Sequence, residues 1–551
     1  MNTNRMLHAL FIDRSLYRSH LLKNKTGHFL QILLMMSLFI LSPTAITLAK
    51  SHGKKSISRT AENSPLSGTV YNVKNYGATG NGTTLDSPAI NKAIDAAAKH
   101  GGGTVLFPSG TYLSGSIRLK SNITLYLSHG AEILATSNPS AYDKAQPNKW
   151  SQYQDYGHSH WRNSLIWGIN LKNISILGPG LIYGKGLTRI HNKKGIGDKT
   201  IALKTCHNVI LRDFKILYGG HFGILLNGDN NVTIDNLLID TNRDGMDIGC
   251  TQNVHISNCT VNSPYDDAIV LKSSYTLGYD KPTKDVTISD CIVSGGYKIG
   301  SVLDGTYKLR NQNDHYGYGT GRIKLGTESN GGFKNISITN CVFDRSMGLA
   351  IEEVDGGSLQ DLTVSNITMR HVLSTPIFIR LGRRQRAPKG TPIGNVKRVN
   401  ISNINVYDAD PKNASIISGI PGHDIQNVRI SNVSIVYKGG GTKKEAKIVP
   451  PEKAAGYPEP TRFGAIPSYG FYIRHVKGIE FNNINLSYEK RDERPAFILN
   501  DVQNAHFYNI HAEVAPGVDH FILKNVRNFS VDQSRPIENT RVVSTSHKVV
   551  K

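Results

Sequence analysis

Three aspartates have the spacing that acid–base chemistry requires. Asp244 follows Asn231 at the same interval at which Asp266 follows Asn253, and both asparagines open the same short sequence word. If the word repeats from coil to coil, Asp244 and Asp266 lie side by side, with Asp267 next to them. Crowded carboxylates raise one another's pKa, which keeps one protonated beside an ionised neighbour, and glycoside hydrolysis needs such a pair. An acidic turn, or a Ca²⁺ site that includes Asp247, explains the same residues without catalysis.

The repeated word predicts the architecture that positions these aspartates. It appears as "NVILRDF" from position 208, "NVTIDNL" from 231, "NVHISNC" from 253 and "NISITNC" from 335, and the starts are almost evenly spaced where no loop intervenes. Each word alternates apolar and polar residues, as a strand does, and ends in Asn or Asp, which tolerate left-handed turns. A period just above twenty residues holds three short strands, which is one coil of a parallel β-helix.

The ends of the repetitive region are also predicted. The segment "SPAINKAIDAAAKH" (87–100) has helical spacing, with Ser87 as N-cap and Pro88 in the first turn, and we expect this short helix to cap the first coil. The β-helix domain is expected to span 69–535, followed by a C-terminal tail, 536–551.

The N-terminal segment, 1–68, indicates export. A basic leader precedes an apolar run that ends in small residues, which predicts a signal peptide over 1–49 and a polar linker over 50–68. A single membrane anchor is the alternative. We expect a secreted or periplasmic protein that has no membrane contact once the signal is removed.

The charge balance favours a polyanionic partner. The 551-residue chain carries a formal net charge of +22, and removal of 1–49, with five Lys or Arg and one Asp, leaves about +18. The sequence has no nucleic-acid-binding signature, so we expect an acidic polysaccharide as partner, no nucleic acid and a monomer. A generally basic surface is the simpler explanation.

The cysteines do not predict a metal centre. Cys259, Cys291 and Cys341 recur at one phase of the repeat and are expected to stack inside the coils, and no zinc-binding spacing is present. We therefore expect no metal and no cofactor. A disulfide involving Cys206 or Cys250 stays open.

The opening segment 71–115 and the coils resemble the pectate-lyase-type right-handed β-helix superfamily. Within it, the chain resembles glycoside hydrolase family 28, the polygalacturonases, over roughly 69–510, most closely in 71–130 and 240–385. The resemblance implies an all-β, single-stranded, right-handed parallel β-helix with a short capping helix. It also implies hydrolysis of a pectin-type polysaccharide, polygalacturonate or rhamnogalacturonan.

The same resemblance gives roles to the aspartates. "NRD" (242–244) corresponds to the family's Asn-Thr-Asp word and "DD" (266–267) to its Asp-Asp pair. Asp266 would be the general acid, Asp244 and Asp267 would activate water, and Asn242 would contact substrate. This is an inverting mechanism, for which the carboxyl groups should be about 6.5–9.5 Å apart. Arg243 replaces the family's Thr, a change that we expect to leave the chemistry intact.

Two family motifs are altered in this chain. The Gly-His-Gly histidine is missing, and Tyr297 or Thr320 would stand in its place. "GRIK" (321–324) matches the family's Arg-Ile-Lys word and makes Arg322 and Lys324 candidates to bind a uronate carboxylate. By coil register, however, that word should fall in 347–357, where Glu352, Glu353 and Asp355 occur instead. Acidic residues there would favour a neutral sugar, as in rhamnogalacturonan.

Further substrate-binding candidates follow from coil phase and from loops. They are Lys272, His221 and Arg380, then Arg383, Arg384 and Arg386 in the loop after Arg380, and a His158, His160 and Trp161 sugar platform. Each has packing or a solvated loop as its simpler explanation. The inserted stretch 304–320 would close one end of the cleft and favour exo attack. A polysaccharide lyase and a non-catalytic carbohydrate-binding β-helix are the competing functions.

Overall fold

The computed structural model describes residues 69–188, 198–311, 319–410 and 412–551. The predicted signal peptide and linker lie outside the described residues, as does the part of the 304–320 insertion between 312 and 318. In the described ranges, none of the helices has the length and apolar character needed to cross a bilayer.

The described residues form a parallel β-helix of three strand stacks, which confirms the predicted fold. After the first coil, most coils contribute one strand to each stack, and strands of neighbouring coils in the same stack pair in parallel. The first stack contains the repeated words, and its strands are β1 (Val70–Asn72), β3 (Gly103–Phe107), β6 (Ile123–Leu127), β9 (Lys172–Leu177), β12 (His207–Arg212), β15 (Asn230–Asp235), β18 (Gln252–Ser257), β21 (Thr283–Ser289) and β24 (Phe333–Thr339).

The second stack continues each coil. Its strands are β2 (Asn81–Leu85), β4 (Gly110–Ser114), β7 (Ala131–Ala135), β10 (Leu181–Tyr183), β13 (Lys215–Leu217), β16 (Leu238–Asp240), β19 (Thr260–Asn262), β22 (Ile292–Ser294) and β25 (Val342–Asp344). In the later coils one long strand spans the first two stacks, as in β27 (Ser358–Val372), β29 (Asn395–Ala409) and β31 (Ile425–Gly439).

The third stack forms the face on which the aspartates lie. Its strands are β5 (Ile117–Arg118), β8 (Ile166–Ile169), β11 (Lys199–Lys204), β14 (Phe222–Asn227), β17 (Asp244–Gly249), β20 (Ile269–Ser273), β23 (Ile323–Ser329), β26 (Leu349–Glu353), β28 (Ile377–Leu381) and β30 (Ser415–Ser418). The last coils are the long strands β32 (Phe471–Lys490), β33 (Phe497–Ala512) and β34 (Phe521–Asp532).

Asparagine ladders explain why the words begin and end in Asn. Asn208 and Asn231 have φ of 57° and Asn253 has φ of 56°, the left-handed conformation that Asn tolerates better than most residues. The Asn231 amide donates to Asn208 Oδ1 at 2.7 Å on the preceding coil. The turns are thus aligned from coil to coil, while the alternate apolar residues of each word, such as Val232 and Ile234, are fully buried.

One α-helix, α1 (Ser87–Lys99), closes the first coil and buries Ile90, Ala93, Ile94 and Ala97. The N-cap is Asp86, not Ser87 as predicted. The Asp86 carboxylate accepts the backbone N–H groups of Thr79 and Gly80 at 2.8 and 3.0 Å, so it ties down the preceding turn instead of capping the helix. Single 3₁₀ turns occur at Val73–Tyr76, Pro139–Ala141, Ser151–Tyr153, Tyr156–Ser159, Tyr275–Leu277, Glu445–Lys447 and Pro460–Phe463.

The C-terminal residues were predicted to be a tail, and the structure corrects this. Residues Thr540–Val550 form β35, which pairs antiparallel with β34 along its whole length. The pairing hydrogen-bonds the open edge of the last coil, a role that an unordered tail could not fill.

The cysteines lie inside the coils as free thiols. Cys259, Cys291 and Cys341 make the same contact in successive coils, with each Sγ 3.1–3.2 Å from the carbonyl oxygen two residues earlier. Cys206 and Cys250 are also buried and free, so neither forms the disulfide that the sequence left open.

Candidate active site

The third stack brings the three aspartates together. Asp244 is the first residue of β17, and Asp266 and Asp267 lie in the turn just before β20, the paired strand of the next coil. The Gly245 N–H donates to the Asp267 carbonyl at 3.0 Å, and the Gly321 N–H donates to the Asp266 carbonyl at 2.9 Å. These backbone bonds fix the turn whose carboxylates point outward from the β-helix.

Carboxylate oxygens of Asp244, Asp266 and Asp267, hereafter the trio, all lie within 4.8 Å of one another. Asp244 and Asp267 are buried, whereas 28% of the Asp266 side chain is exposed. Asp266 is therefore the member that solvent reaches most easily. The oxygens approach more closely than the distance of about 6.5–9.5 Å expected between carboxyl groups of an inverting hydrolase, so the spacing alone does not indicate inversion.

Burial and neighbouring charges shift the pKa values of Asp244 and Asp266 in opposite directions. Desolvation, together with the negative charge of Asp266, raises the pKa of Asp244 well above its usual value. Neither carboxylate oxygen of Asp244 has a hydrogen-bond partner among the described residues. Burial also raises the pKa of Asp266, but Arg243, Lys272 and Lys324 outweigh it and lower that pKa to about 2. A proton shared by Asp244 and Asp266 is therefore held by Asp244 in preference to Asp266.

Arg243, which stands where the family has Thr, is a member of the site. Its Nε donates to Asp266 Oδ2 at 2.8 Å. The same guanidinium contacts the ring of His221 and lies 5.7 Å from the centre of the Phe222 ring. His221, a predicted substrate-binding residue, thus contacts Arg243, which itself binds Asp266. The positive charge of Arg243 helps to hold Asp266 ionised.

Arg322 and Lys324 also meet the trio. Lys324 pairs with Val270 of β20, so the "GRIK" word occupies the coil directly after the aspartates. Arg322 Nε donates to Asp267 Oδ1 at 2.6 Å, and Lys324 Nζ lies 3.6 Å from Asp267 Oδ2. In the family's order of motifs, the coil directly after the Asp-Asp pair carries the Gly-His-Gly word. Here that coil contains β23, and Thr320 lies just before this strand.

The coil that should carry Arg-Ile-Lys carries acids, as its sequence indicated. Glu352 of β26 lies with Oε2 3.5 Å from Lys324 Nζ, and burial raises its pKa to about 7. The Glu353 carboxylate accepts backbone N–H groups, with Gly357 N at 2.9 Å, and supports the turn after β26. Asp355 binds the Arg384 guanidinium, with Nε at 3.0 Å.

Lys272 is held in a buried charge cluster beside the trio. Its Nζ lies 3.3 Å from Asp247 Oδ2 and 3.2 Å from Glu328 Oε2. His158 Nε2 lies 2.8 Å from the same oxygen of Asp247. Lys272 therefore acts on the trio through its charge, and Asp247, His158 and Glu328 orient it.

Several predicted binding residues lie elsewhere or are engaged. The Tyr297 hydroxyl bonds to Asp344 at the end of β25, so it does not take the place of the missing histidine. Arg380 donates to Ser418 Oγ at 2.8 Å and to the Glu452 carbonyl at 2.8 Å. Trp161 is completely buried and donates to Asn227, which excludes a sugar platform. Asn242, two residues before Asp244, is half-buried and accepts a 3.4 Å contact from the Thr241 hydroxyl.

Sequence reasoning missed two residues at the site. Glu459 contacts Arg322 through both carboxylate oxygens, at 2.5 and 3.1 Å, although 137 positions separate the two residues. The Tyr457 ring lies 5.5 Å from Lys324 Nζ, and its hydroxyl is 2.9 Å from Thr327 Oγ1. Both belong to the non-repetitive segment between β31 and β32, whose position no period predicts.

The trio is also the one group of described residues that brings three carboxylate oxygens close enough for a cation. Arg243 and Arg322 already bind two of its members, and Lys324 lies beside Asp267. A divalent cation there would meet three fixed positive charges, so the charge environment suits proton transfer better than metal binding.

Comparison with known proteins finds similarity over much of the chain. The family described as "Rhamnogalacturonase A/epimerase, pectate lyase-like" matches residues 70–297. An exo-poly-alpha-D-galacturonosidase of Dickeya chrysanthemi is 24% identical, over 66% of this chain and 68% of that protein. A probable polygalacturonase of Vitis vinifera is 25% identical, over 65% of this chain and 73% of that protein.

A solved structure has the same fold. The family 28 exopolygalacturonase of Yersinia enterocolitica superimposes with a TM-score of 0.60 at 20% identity, covering 82% of this chain and 79% of that one. Fold and relatives together define the protein as a glycoside hydrolase on a right-handed parallel β-helix. Within that class, the chain is similar to the polygalacturonases of glycoside hydrolase family 28.

Proposed function

We propose that the protein hydrolyses glycosidic bonds of a pectin-type acidic polysaccharide, polygalacturonate or rhamnogalacturonan, with the trio as its acid–base machinery. The observation that carries the proposal is the convergence of Asp244, Asp266 and Asp267 within 4.8 Å on the outer face of the third stack. The names of the relatives, polygalacturonase and exo-polygalacturonosidase, support the substrate class. The net charge of +22 suits a polyanionic substrate.

The roles within the trio follow from exposure and charge. Asp266 is the general acid, because it is the member that a glycosidic oxygen can reach. Since Arg243 keeps Asp266 ionised in the free protein, the proton that rests on Asp244 must pass to Asp266 as substrate displaces Arg243. Asp244 and Asp267 then activate a water molecule as the base. Inversion at the anomeric carbon rests on the family resemblance.

Exo attack and export complete the proposal. The described part of the 304–320 insertion packs beside the turn of Asp266, with Arg310 5.2 Å from the centre of the Tyr265 ring. An insertion at that position would close one end of the cleft, and the Dickeya relative is named for exo action. The predicted signal peptide supports a secreted or periplasmic location.

The first test compares the mature protein with Asp266→Asn, Asp244→Asn and Asp267→Asn on polygalacturonate and on rhamnogalacturonan. We expect new reducing ends without unsaturated products, and a loss of roughly 10²–10⁴-fold in kcat for each variant, since general acid–base catalysis contributes about that much. Unsaturated products would identify a lyase. Circular dichroism confirms that each variant is folded.

The second test separates acid from base. A 4-nitrophenyl galacturonide has a leaving group that needs no protonation, so Asp266→Asn should retain most of its activity on it, while Asp244→Asn and Asp267→Asn should not. If Asp244→Asn, and not Asp266→Asn, keeps its activity on this substrate, then Asp244 is the general acid and Asp266 belongs to the base. Proton NMR of the first-formed anomer reports inversion or retention.

A further inference from the structure

A long segment between β31 and β32 crosses the outer face of the third stack. It runs over residues 440–470 and carries Tyr457 and Glu459. We call residues 448–466 of this segment the wall. Pro460, Phe463 and Ile466 of the wall are buried, and Phe463 packs edge-on against Phe378 of β28 at 6.0 Å.

Two buried arginines bind the wall to the β-helix. Arg380 of β28 donates to the Glu452 carbonyl at 2.8 Å, and Arg474 of β32 donates to the Pro450 carbonyl at 2.9 Å. Both guanidinium groups lie over the Phe463 ring, at 5.1 and 5.4 Å from its centre. The wall is therefore a built part of the cleft, and Arg380 supports it instead of binding sugar.

The wall places one carboxylate on the cations next to Asp267. Glu459 binds Arg322 with both oxygens, and its Oε1 lies 3.8 Å from Lys324 Nζ. A bidentate carboxylate on an arginine is the contact that a uronate would make with the same side chain. Glu459 thus occupies the position that the substrate's carboxylate would need.

The charges around Arg322 and Lys324 are balanced without substrate. Asp267 and Glu459 contact Arg322, and Asp267, Glu352 and Glu459 lie within 3.8 Å of Lys324 Nζ. A further carboxylate would meet Glu459 at close range and compete for donors that are already engaged, and like charges at such distances repel. The Glu459 side chain is still 24% exposed, so an oxygen can accept a sugar hydroxyl.

We propose that Glu459 is a specificity-determining residue, which excludes a carboxylate from the subsite formed by Asp267, Arg322 and Lys324 and selects an uncharged sugar there. This deepens the proposed function and rests on it. The sugar is a neutral residue or an esterified uronate within an acidic polymer, and its hydroxyl groups donate to Glu459.

The test uses Glu459→Gln with Glu452→Gln as its matched control. Glu452 lies in the same wall and also contacts an arginine, Arg474 at 3.1 Å, so the control removes the same charge from the same segment without freeing Arg322. Each change is also made in the Asp266→Asn background. Melting temperatures check that all variants fold.

Binding of trigalacturonate and of its methyl ester is measured by calorimetry in the Asp266→Asn background. We expect this protein to bind the ester more tightly than the acid. Adding Glu459→Gln should strengthen binding of the acid at least about tenfold, the size of one charge-assisted hydrogen bond, and make it salt-sensitive. Adding Glu452→Gln should change it less than about twofold.

The proposal is overturned if the acid binds as tightly as the ester before Glu459 is changed, or if Glu459→Gln leaves that preference unaltered. If Glu459→Gln does not fold, Glu459→Ala is measured in its place, and it must show the same increase in affinity for the acid. These outcomes do not depend on turnover. A protein that hydrolyses neither substrate with Asp266 intact contradicts the proposed function, while the binding comparison still decides the role of Glu459.

Discussion

Arg243 controls the charge state of the candidate acid. It binds Asp266 directly, at 2.8 Å. Burial raises the pKa of Asp266 and of Asp244, and the positive charge of Arg243 opposes that rise at both carboxyl groups. An enzyme whose acid must carry a proton loses activity as pH rises through the pKa of that acid. If Asp266 is the acid as proposed, Arg243 should therefore restrict activity to more acidic conditions than the carboxylates alone would.

Replacing Arg243 by Met keeps the bulk of the side chain and removes its charge. We expect the alkaline limb of the pH profile of kcat/KM to move upward by about one pH unit or more, the usual effect of losing one close opposite charge. The control is Arg118→Met, since Arg118 also pairs with an aspartate, Asp143 at 2.6 Å, but lies away from the trio. An alkaline limb that stays in place in Arg243→Met would contradict this role.

Asp229 links stability to pH without any part in the site. It is fully buried, its Oδ2 has no hydrogen-bond partner among the described residues, and burial raises its pKa to about 7. Between about pH 4 and 7 the folded protein holds a proton there that the unfolded chain has released, so this contribution to stability falls as pH rises through that window.

Asp229→Asn removes the ionisable group and should stabilise the protein above pH 7. Each unit of pKa shift is worth about 1.4 kcal/mol, so the gain is at most about 4 kcal/mol, and it should vanish below about pH 4. Urea unfolding at pH 4 and pH 8 measures the difference. Asp95→Asn, a change at an exposed carboxylate, should show no comparable pH-dependent gain.

At the scale of the element, the turns depend on asparagine for two separate reasons. Asn403 has φ of 56°, its amide donates to Asn366 at 3.0 Å, and its oxygen accepts from Asn432 at 3.0 Å. Asparagine tolerates the left-handed backbone and also joins three coils. Glycine would supply only the first property and alanine neither.

Asn403→Gly should therefore lower the free energy of unfolding by about 1 kcal/mol for the lost ladder bonds. Asn403→Ala should lower it by about 1 kcal/mol more, because alanine resists the left-handed conformation. Denaturant titration measures both. Asn405→Ala, in the extended part of the same strand, serves as the control, and equal losses for Gly and Ala at position 403 would show that the backbone conformation contributes nothing.

The elements also show which features the sequence could predict. The words that place Asp244 and Asp266 in adjacent coils repeat at a fixed period, so their register could be read from spacing. The register of "GRIK" depends on the loop before β23, whose length the repeat does not predict. The strand pairing places "GRIK" one coil nearer the trio than the position of the Arg-Ile-Lys word in the family. Glu459 belongs to no repeat, and its contact with Arg322 follows from how the wall packs. The structure makes Asp86, not Ser87, the N-cap of α1. The Asp86 carboxylate binds the preceding turn and not the helix, and local helix signals do not predict that contact.

At the scale of the whole molecule, a β-helix must protect both of its open ends. The first coil is covered by α1. The last coils contain stacked phenylalanines, with Phe471, Phe497 and Phe521 successively 5.8 and 4.8 Å apart. Beyond them β34 would present an unpaired strand edge if β35 did not pair with it.

Removing residues 536–551 should make the protein self-associate. The truncation exposes the backbone donors and acceptors of β34 (Phe521–Asp532), and an exposed, regular strand edge pairs readily with a second copy. We expect concentration-dependent oligomers in light scattering and a lower melting temperature, with the trio still assembled, because β17, β20 and β23 lie many coils away. Val543→Lys, at an outward position of β35 that is 90% exposed, keeps the cover and should stay monomeric. A truncated protein that remains monomeric at high concentration would mean that β35 acts only as a local clamp, and that the edge of β34 is protected by its own twist and charge.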